Sequence, residues 1–176
     1  MIDRKLVVII NGRGGSGKDT VCDIVGKHYA TKNVSSITII KRAAAILGWK
    51  GGKEANDRKF LSDLKKLSNE YNGMPFSEMA REYKLFRTFW TEIMFVHIRE
   101  PEEIASFYTY VKMDGRADVT TLLVKSERTE ESFGNESDDN VDMYPYDHVF
   151  HNDCPLEELE DKFMTFFDNE ILKKPE

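Results

Sequence analysis

The stretch "LVVIINGRGGSGKDT", Leu6–Thr20, decides how the chain is read. An apolar run is followed at once by a glycine-rich turn, a lysine and a segment with helical spacing, so strand, loop and helix follow in that order. Gly12 to Lys18 meets the pattern G-x-x-x-x-G-K of a phosphate-binding loop. Gly12, Gly14, Gly15 and Gly17 let successive backbone N–H groups turn inward, with Ser16 among them, and the start of the helix adds partial positive charge. Lys18 then stands where an ammonium bridges the β- and γ-phosphates of a nucleotide.

The next position opens two readings. Most such loops carry Ser or Thr there, whose hydroxyl oxygen goes to Mg²⁺; this one carries Asp19. The carboxylate either holds Mg²⁺, directly or through water, or only favours the helix start. Thr20 is placed to bond the α-phosphate through its hydroxyl and backbone. GTPase chemistry is disfavoured, because neither a clear metal-binding aspartate after the third predicted strand nor the guanine-reading N-K-x-D is found.

Composition narrows the setting. At 176 residues, with 40% hydrophobic and 32% charged residues, the chain fits one soluble globular domain. No apolar stretch approaches the roughly 20 residues needed to span a bilayer, and no cleavage site follows the first apolar run, so neither membrane insertion nor a signal peptide is expected. Cys22 and Cys154 are too few for a disulfide framework or a zinc cluster, which points to a reducing compartment, the cytoplasm. The net charge of −6 argues against nucleic acid as a partner. Seven acids (Glu127, Glu130, Glu131, Glu136, Asp138, Asp139, Asp142) against one base, Arg128, place the whole excess between Ser126 and Asp142. The rest of the chain is balanced and free to hold local basic clusters for an anionic ligand.

Strand and helix signals alternate along the chain, the pattern of an α/β domain with a mainly parallel sheet. Strands are expected at Lys5–Asn11, Ser35–Ile40 ("SSITII"), Glu92–Ile98, Val119–Lys125 and Asp147–Asn152. Helices are expected from Lys18 to about Ala30, through "RAAAILG", through Glu54–Asn72 with Leu61, Leu64 and Leu67 as its apolar stripe, through Ser77–Trp90, after Pro101, and from Pro155 onward. The interval from Ser126 to Tyr146 lacks periodicity, and a mobile acidic lid or loop is expected there, at about 126–146.

"GKDT" resembles the loop of P-loop kinases of the nucleoside monophosphate kinase-like group, particularly the phage-type deoxynucleoside monophosphate kinases. Three further blocks resemble that family in the same order: "ILGWKGGKEANDRKFLSDL", "FVHIREPEEI" and "DHVFHNDCPLEEL". The resemblance implies the three-layer P-loop NTPase fold with a five-stranded parallel sheet, binding of ATP and Mg²⁺, and transfer of the γ-phosphoryl group to a small phosphorylated acceptor. It implies a single domain over 1–176. A kinase of a non-nucleotide phosphate, of dephospho-coenzyme A or phosphomevalonate type, is the alternative, as is an ATP-binding regulatory protein without turnover.

On this resemblance, Arg58 and Lys53, rather than Lys65 farther along the same helix, are candidates to grip the acceptor phosphate, since a guanidinium binds phosphate bidentately. Arg99 follows the third strand at the carboxyl edge of the sheet, where ligands of open α/β sheets bind, and Arg42 is expected at the corresponding end of the second strand. Lys125 and Arg128 lie where the group carries a lid bringing positive charge over the transferring phosphate. His151 and Asn152 fall beside the adenine, offering mostly backbone contacts. Where the family's third strand offers an acid near the metal, this chain has His97, a poor Mg²⁺ ligand, so Asp19 becomes the candidate metal residue. The oligomeric state is not legible.

Overall fold

The computed structural model describes residues 4–129 and 141–173. Its centre is a five-stranded sheet in the order β2-β3-β1-β4-β5, built from β1 (Leu6–Asn11), β2 (Thr31–Ser35), β3 (Ile93–His97), β4 (Asp118–Lys125) and β5 (His148–His151). Every neighbouring pair is parallel. β1 is flanked on both sides and covered on both faces, which is why it reads as a continuous apolar run with all six residues buried.

Alternate side chains of β1 serve two cores, as the period of two requires. Val8 and Ile10 face a core with Val21 and Val25 of α1 (Lys18–His28) and Phe163 of the last helix. Val7 and Ile9 face the other, with Met79, Tyr83 and Phe86 of α4 (Met74–Thr88) and Ile104, Phe107 and Val111 of α5 (Pro101–Asp114). The last helix, α6, spans Leu156–Phe166 and continues as a π-helical turn, Phe167–Ile171. Helices on both faces of a parallel sheet make the three-layer α/β architecture that the alternation of elements predicts.

Two expectations are corrected. The second strand is not "SSITII": β2 ends at Ser35, and Thr38–Ile46 forms helix α2. Its isoleucines read locally as β-formers, but Ile40 and Ala44, four apart, are the residues α2 buries. "TKNVS", the true strand, is an edge strand with no buried residue, paired to β3 through Val34 and Val96, and its polar sequence carries little strand signal. The leucine stripe also fails. In α3 (Ala55–Asn72) Leu61 and Leu64 are only half-buried, Leu67 is 62% exposed, and the helix's one buried residue is Lys65. The helix contacts α2 and α4 rather than lying on the sheet, so its leucines have no core to enter.

Of the interval 126–146, residues 130–140 lie outside the described residues, and with them most of the expected acidic lid. Val141–Met143 is a short 3₁₀ turn leading toward β5.

Candidate functional site

The loop from Gly12 to Gly17 leaves β1 at the carboxyl edge and enters α1 at Lys18. The Gly12 N–H donates to Asn11 Oδ1 at 2.8 Å, and the Ser16 N–H donates to the Arg13 carbonyl at 3.1 Å. No side chain caps α1, whose first turn carries Asp19. A helix start of this kind turns N–H groups and positive dipole toward an anion.

Two glycines are required by geometry. A Cβ at Gly12 would stand 2.5 Å from both Ser16 Oγ and the Val124 carbonyl oxygen. Gly17 caps α1 with φ of 90°, in the left-handed region, and a Cβ there would collide with Asn152 Nδ2.

Asn152, just after β5, holds the loop from behind. Its Nδ2 donates to the Ser16 carbonyl at 2.9 Å, and its N–H donates to the Lys125 carbonyl at 2.7 Å. Ser16 Oγ and Asn152 Oδ1 are buried with no hydrogen-bond partner among the described residues. Such atoms are costly, at about 1–3 kcal/mol each, and suit a cradle completed by a polar ligand. Arg128 lies near this side: its guanidinium donates to the carbonyls of Asn152 at 3.1 Å and Cys154 at 2.9 Å, bracing the β5–α6 connection. Lys125 pairs with Asp142 at 2.6 Å, and Arg13 reaches the same carboxylate at 3.3 Å. Asp142, from the acidic stretch, thus faces the rim of the loop. His151 is exposed on β5.

Next to the loop, His97 closes β3, opposite Ile10 of β1. Its Nδ1 lies 3.6 Å from Asp19 Oδ1 and its Nε2 3.9 Å from Cys22 Sγ. Burial holds the imidazole below its ordinary pKa, against the pull of the Asp19 carboxylate. Asp19 itself is 83% exposed, a carboxylate turned to solvent at the mouth of the loop. Among the described residues no group of three or more His, Cys, Asp or Glu is arranged to hold a metal ion. One carboxylate nevertheless fits Mg²⁺, which keeps several waters and is commonly held by one or two carboxylates plus phosphates.

The acceptor candidates are spread along the β2–β3 side. Arg99 follows β3, and its carbonyl accepts from Asn11 Nδ2 at 3.1 Å. Arg58, exposed on α3, donates from Nε to the Lys53 carbonyl at 3.0 Å, so these two are brought together. Arg42 is not at a strand end: it lies in α2, 65% exposed, 3.7 Å from Glu78, because the isoleucines before it are helical.

Lys65, set aside on sequence, lies at this edge. Its Nζ meets Ser36 Oγ at 3.2 Å, Glu100 Oε2 at 2.5 Å and Glu103 Oε2 at 2.8 Å. Burial pushes the Glu100 carboxyl up, but the Lys65 ammonium and its hydrogen bond outweigh it and leave the group below the ordinary range. Glu103 stays above that range: burial raises it, and the Glu100 charge offsets part of what Lys65 contributes. The acids at 100 and 103 at the start of α5 are visible in sequence, but nothing local says which cation they meet.

No protein-family model matches the chain, and no curated protein matches its sequence. Solved structures do match in fold. A sugar kinase from Janibacter sp. HTCC2649 shares 13% identity over 94% of this chain and 95% of its own, with a TM-score of 0.51. TT1252 from Thermus thermophilus shares 18% over 95% and 98%, also at 0.51. A putative kinase from Chloroflexus aurantiacus shares 10% over 97% and 99%, again at 0.51. At these identities the likeness is one of fold, shared with structures two of which are described as a sugar kinase and a putative kinase.

Proposed function

We propose that the chain is an ATP-dependent phosphotransferase, one P-loop kinase domain acting on a small phosphorylated acceptor, and that the acceptor is a nucleoside or deoxynucleoside monophosphate. The observation that carries this reading is the loop from Gly12 to Lys18, fixed between Asn11 and Asn152 with two glycines that admit no side chain. Two of the fold's relatives are described as a sugar kinase and a putative kinase, which agrees with phosphoryl transfer.

Phosphoryl transfer asks for positioning and charge stabilisation rather than a covalent intermediate. Lys18 and the start of α1 bind the β- and γ-phosphates, with Gly14, Gly15, Ser16 and Thr20 completing the cradle. Asn152 and the connection braced by Arg128 border the base. Arg99, at the carboxyl edge beside the loop, holds the acceptor phosphate or the charge developing on the transferred group, with Arg58 on α3 and Lys53 just before that helix as the outer grip. Asp19 holds Mg²⁺, which when bound offsets the negative charge of the triphosphate.

ADP release measured over a panel of nucleoside and deoxynucleoside monophosphates tests the reading. Turnover that depends on one of them supports it; turnover only with dephospho-coenzyme A or phosphomevalonate moves the assignment to a non-nucleotide acceptor. A second reading, an ATP-binding regulatory protein, is favoured by one observation, the imidazole of His97 beside Asp19 where an acid is expected. ATP affinity lost in Lys18→Ala, with no transfer in either protein, selects it.

A further inference from the structure

Besides its packing on α2 and α4, the helix that bears Arg58 is tied to the sheet edge through a buried charge. Of the 18 residues of α3, Lys65 is the one that is buried, at 6% exposure. An ammonium has three donors and no acceptor. Here the three meet Ser36, Glu100 and Glu103, which belong to the end of β2 and the start of α5. One turn further along α3, Asn69 Nδ2 donates to the other oxygen of Glu103 at 2.8 Å. The Ser36 N–H in turn donates to the His97 carbonyl at 3.1 Å, so the cluster sits on the carboxyl edge of the sheet.

Desolvating an ammonium and two carboxylates is expensive, and apolar side chains of similar volume commonly stabilise such a site as well or better. Attachment by burial would leave α3 free to settle in several packings, whereas this cluster is satisfied in one arrangement. Its members adjoin the acceptor candidates: Glu100 is the residue after Arg99, whose carbonyl is held by Asn11, and Arg58 lies on α3 itself. Lys65 therefore ties α3, which also packs on α2 and α4, to the junction that carries Arg99.

We propose that Lys65 is a positioning residue of the acceptor site, a polar latch that fixes α3 and the β3–α5 junction so that Arg58 and Arg99 converge on one acceptor phosphate. This rests on the assignment of the cleft to a phosphorylated acceptor.

The test compares Lys65→Met, Lys65→Arg and Lys65→Met/Glu100→Gln/Glu103→Gln in the full chain. The triple variant removes the unpaired buried charges and so separates loss of the latch from loss of stability. With the monophosphate that supports turnover, Lys65→Met and the triple variant are expected to raise acceptor KM by about 10- to 100-fold. ATP KM stays within about twofold in the same proteins, and Lys65→Arg, which can still pair with both carboxylates, recovers most of the loss. Amide hydrogen exchange gives a readout independent of activity: amides of 55–72 exchange faster in Lys65→Met and in the triple variant, while those of α1 do not change. A folded triple variant with native acceptor KM, or α3 exchange unchanged in it, overturns the proposal. If no monophosphate is turned over, the nucleotide reading fails, and the exchange result decides for or against the latch.

Discussion

The side-chain amide of Asn11 donates to the carbonyl oxygen of Arg99 at 3.1 Å. The same side chain accepts from the Gly12 N–H at 2.8 Å and donates to the Tyr146 hydroxyl at 2.7 Å. Asn11, 1% exposed, therefore joins the first residue of the phosphate loop to the junction that carries Arg99. Replacing it by Ala strands the Gly12 N–H and takes away a partner of the Arg99 carbonyl. The cost is about 1–3 kcal/mol of stability, read by urea unfolding, with a parallel loss of nucleotide affinity. An Asn11→Ala protein with native stability and native affinity would show that this bridge does not hold the site together.

Gly17 and Asn152 are coupled by contact. Gly17→Ala places a methyl against Asn152 Nδ2 and forces alanine to φ near 90°, a backbone conformation that costs about 1–2 kcal/mol by itself. Asn152→Ala removes the obstacle but also the hydrogen bond to Ser16. The double variant is expected to be more stable than the sum of the single losses predicts, by about 0.5 kcal/mol or more in a double-mutant cycle. Strict additivity would show that the two do not touch.

Alkaline pH should weaken the fold through Tyr146. Burial pushes its phenol from 10.0 up to about 12, against the opposing hydrogen bond from Asn11. A raised folded pKa means that the neutral phenol is favoured in the native state: its stabilisation is complete below 10.0 and is lost as pH rises toward 12. Melting temperature is expected to fall across that window, and less steeply in Tyr146→Phe. Tyr83 and Tyr144 are raised in the same direction, so the slope should diminish in the variant without vanishing. An identical slope in Tyr146→Phe counts against the assignment.

Asp19 is the candidate metal residue, and its neutral isostere isolates the charge. In Asp19→Asn, nucleotide affinity without Mg²⁺ should hold or improve, since a negative charge near the phosphates is gone, while the gain on adding Mg²⁺ shrinks by about 10-fold. Titrating Mg²⁺ against a fluorescent ATP analogue measures both. An unchanged Mg²⁺ response would leave Asp19 as a helix-start residue only.

Where the sequence was legible, the signal was local. The strand, loop and helix around Gly12–Lys18 depend on contiguous residues, as do Pro101 at the start of α5 and the strand β3. What it concealed depended on partners far along the chain. β2 is a strand because β3 lies beside it, not because Thr31–Ser35 is rich in β-formers, and the mistaken strand carried Arg42 to the wrong place. The partners of Lys65, set aside as lying farther along its helix, are not legible locally because its acids are 35 and 38 residues away. Arg128 pointed toward a lid in sequence, whereas its guanidinium meets carbonyls 24 and 26 residues on, at the β5–α6 connection.

The central claim is acceptor-dependent phosphoryl transfer from the loop that ends in Lys18. The most direct measurement is coupled ADP release with ATP and Mg²⁺ over the nucleoside and deoxynucleoside monophosphates, run beside Lys18→Ala. The account predicts turnover that appears only when one of these acceptors is added and drops by at least about 100-fold in the variant. Tight ATP binding to the native chain with no turnover on any monophosphate would contradict it.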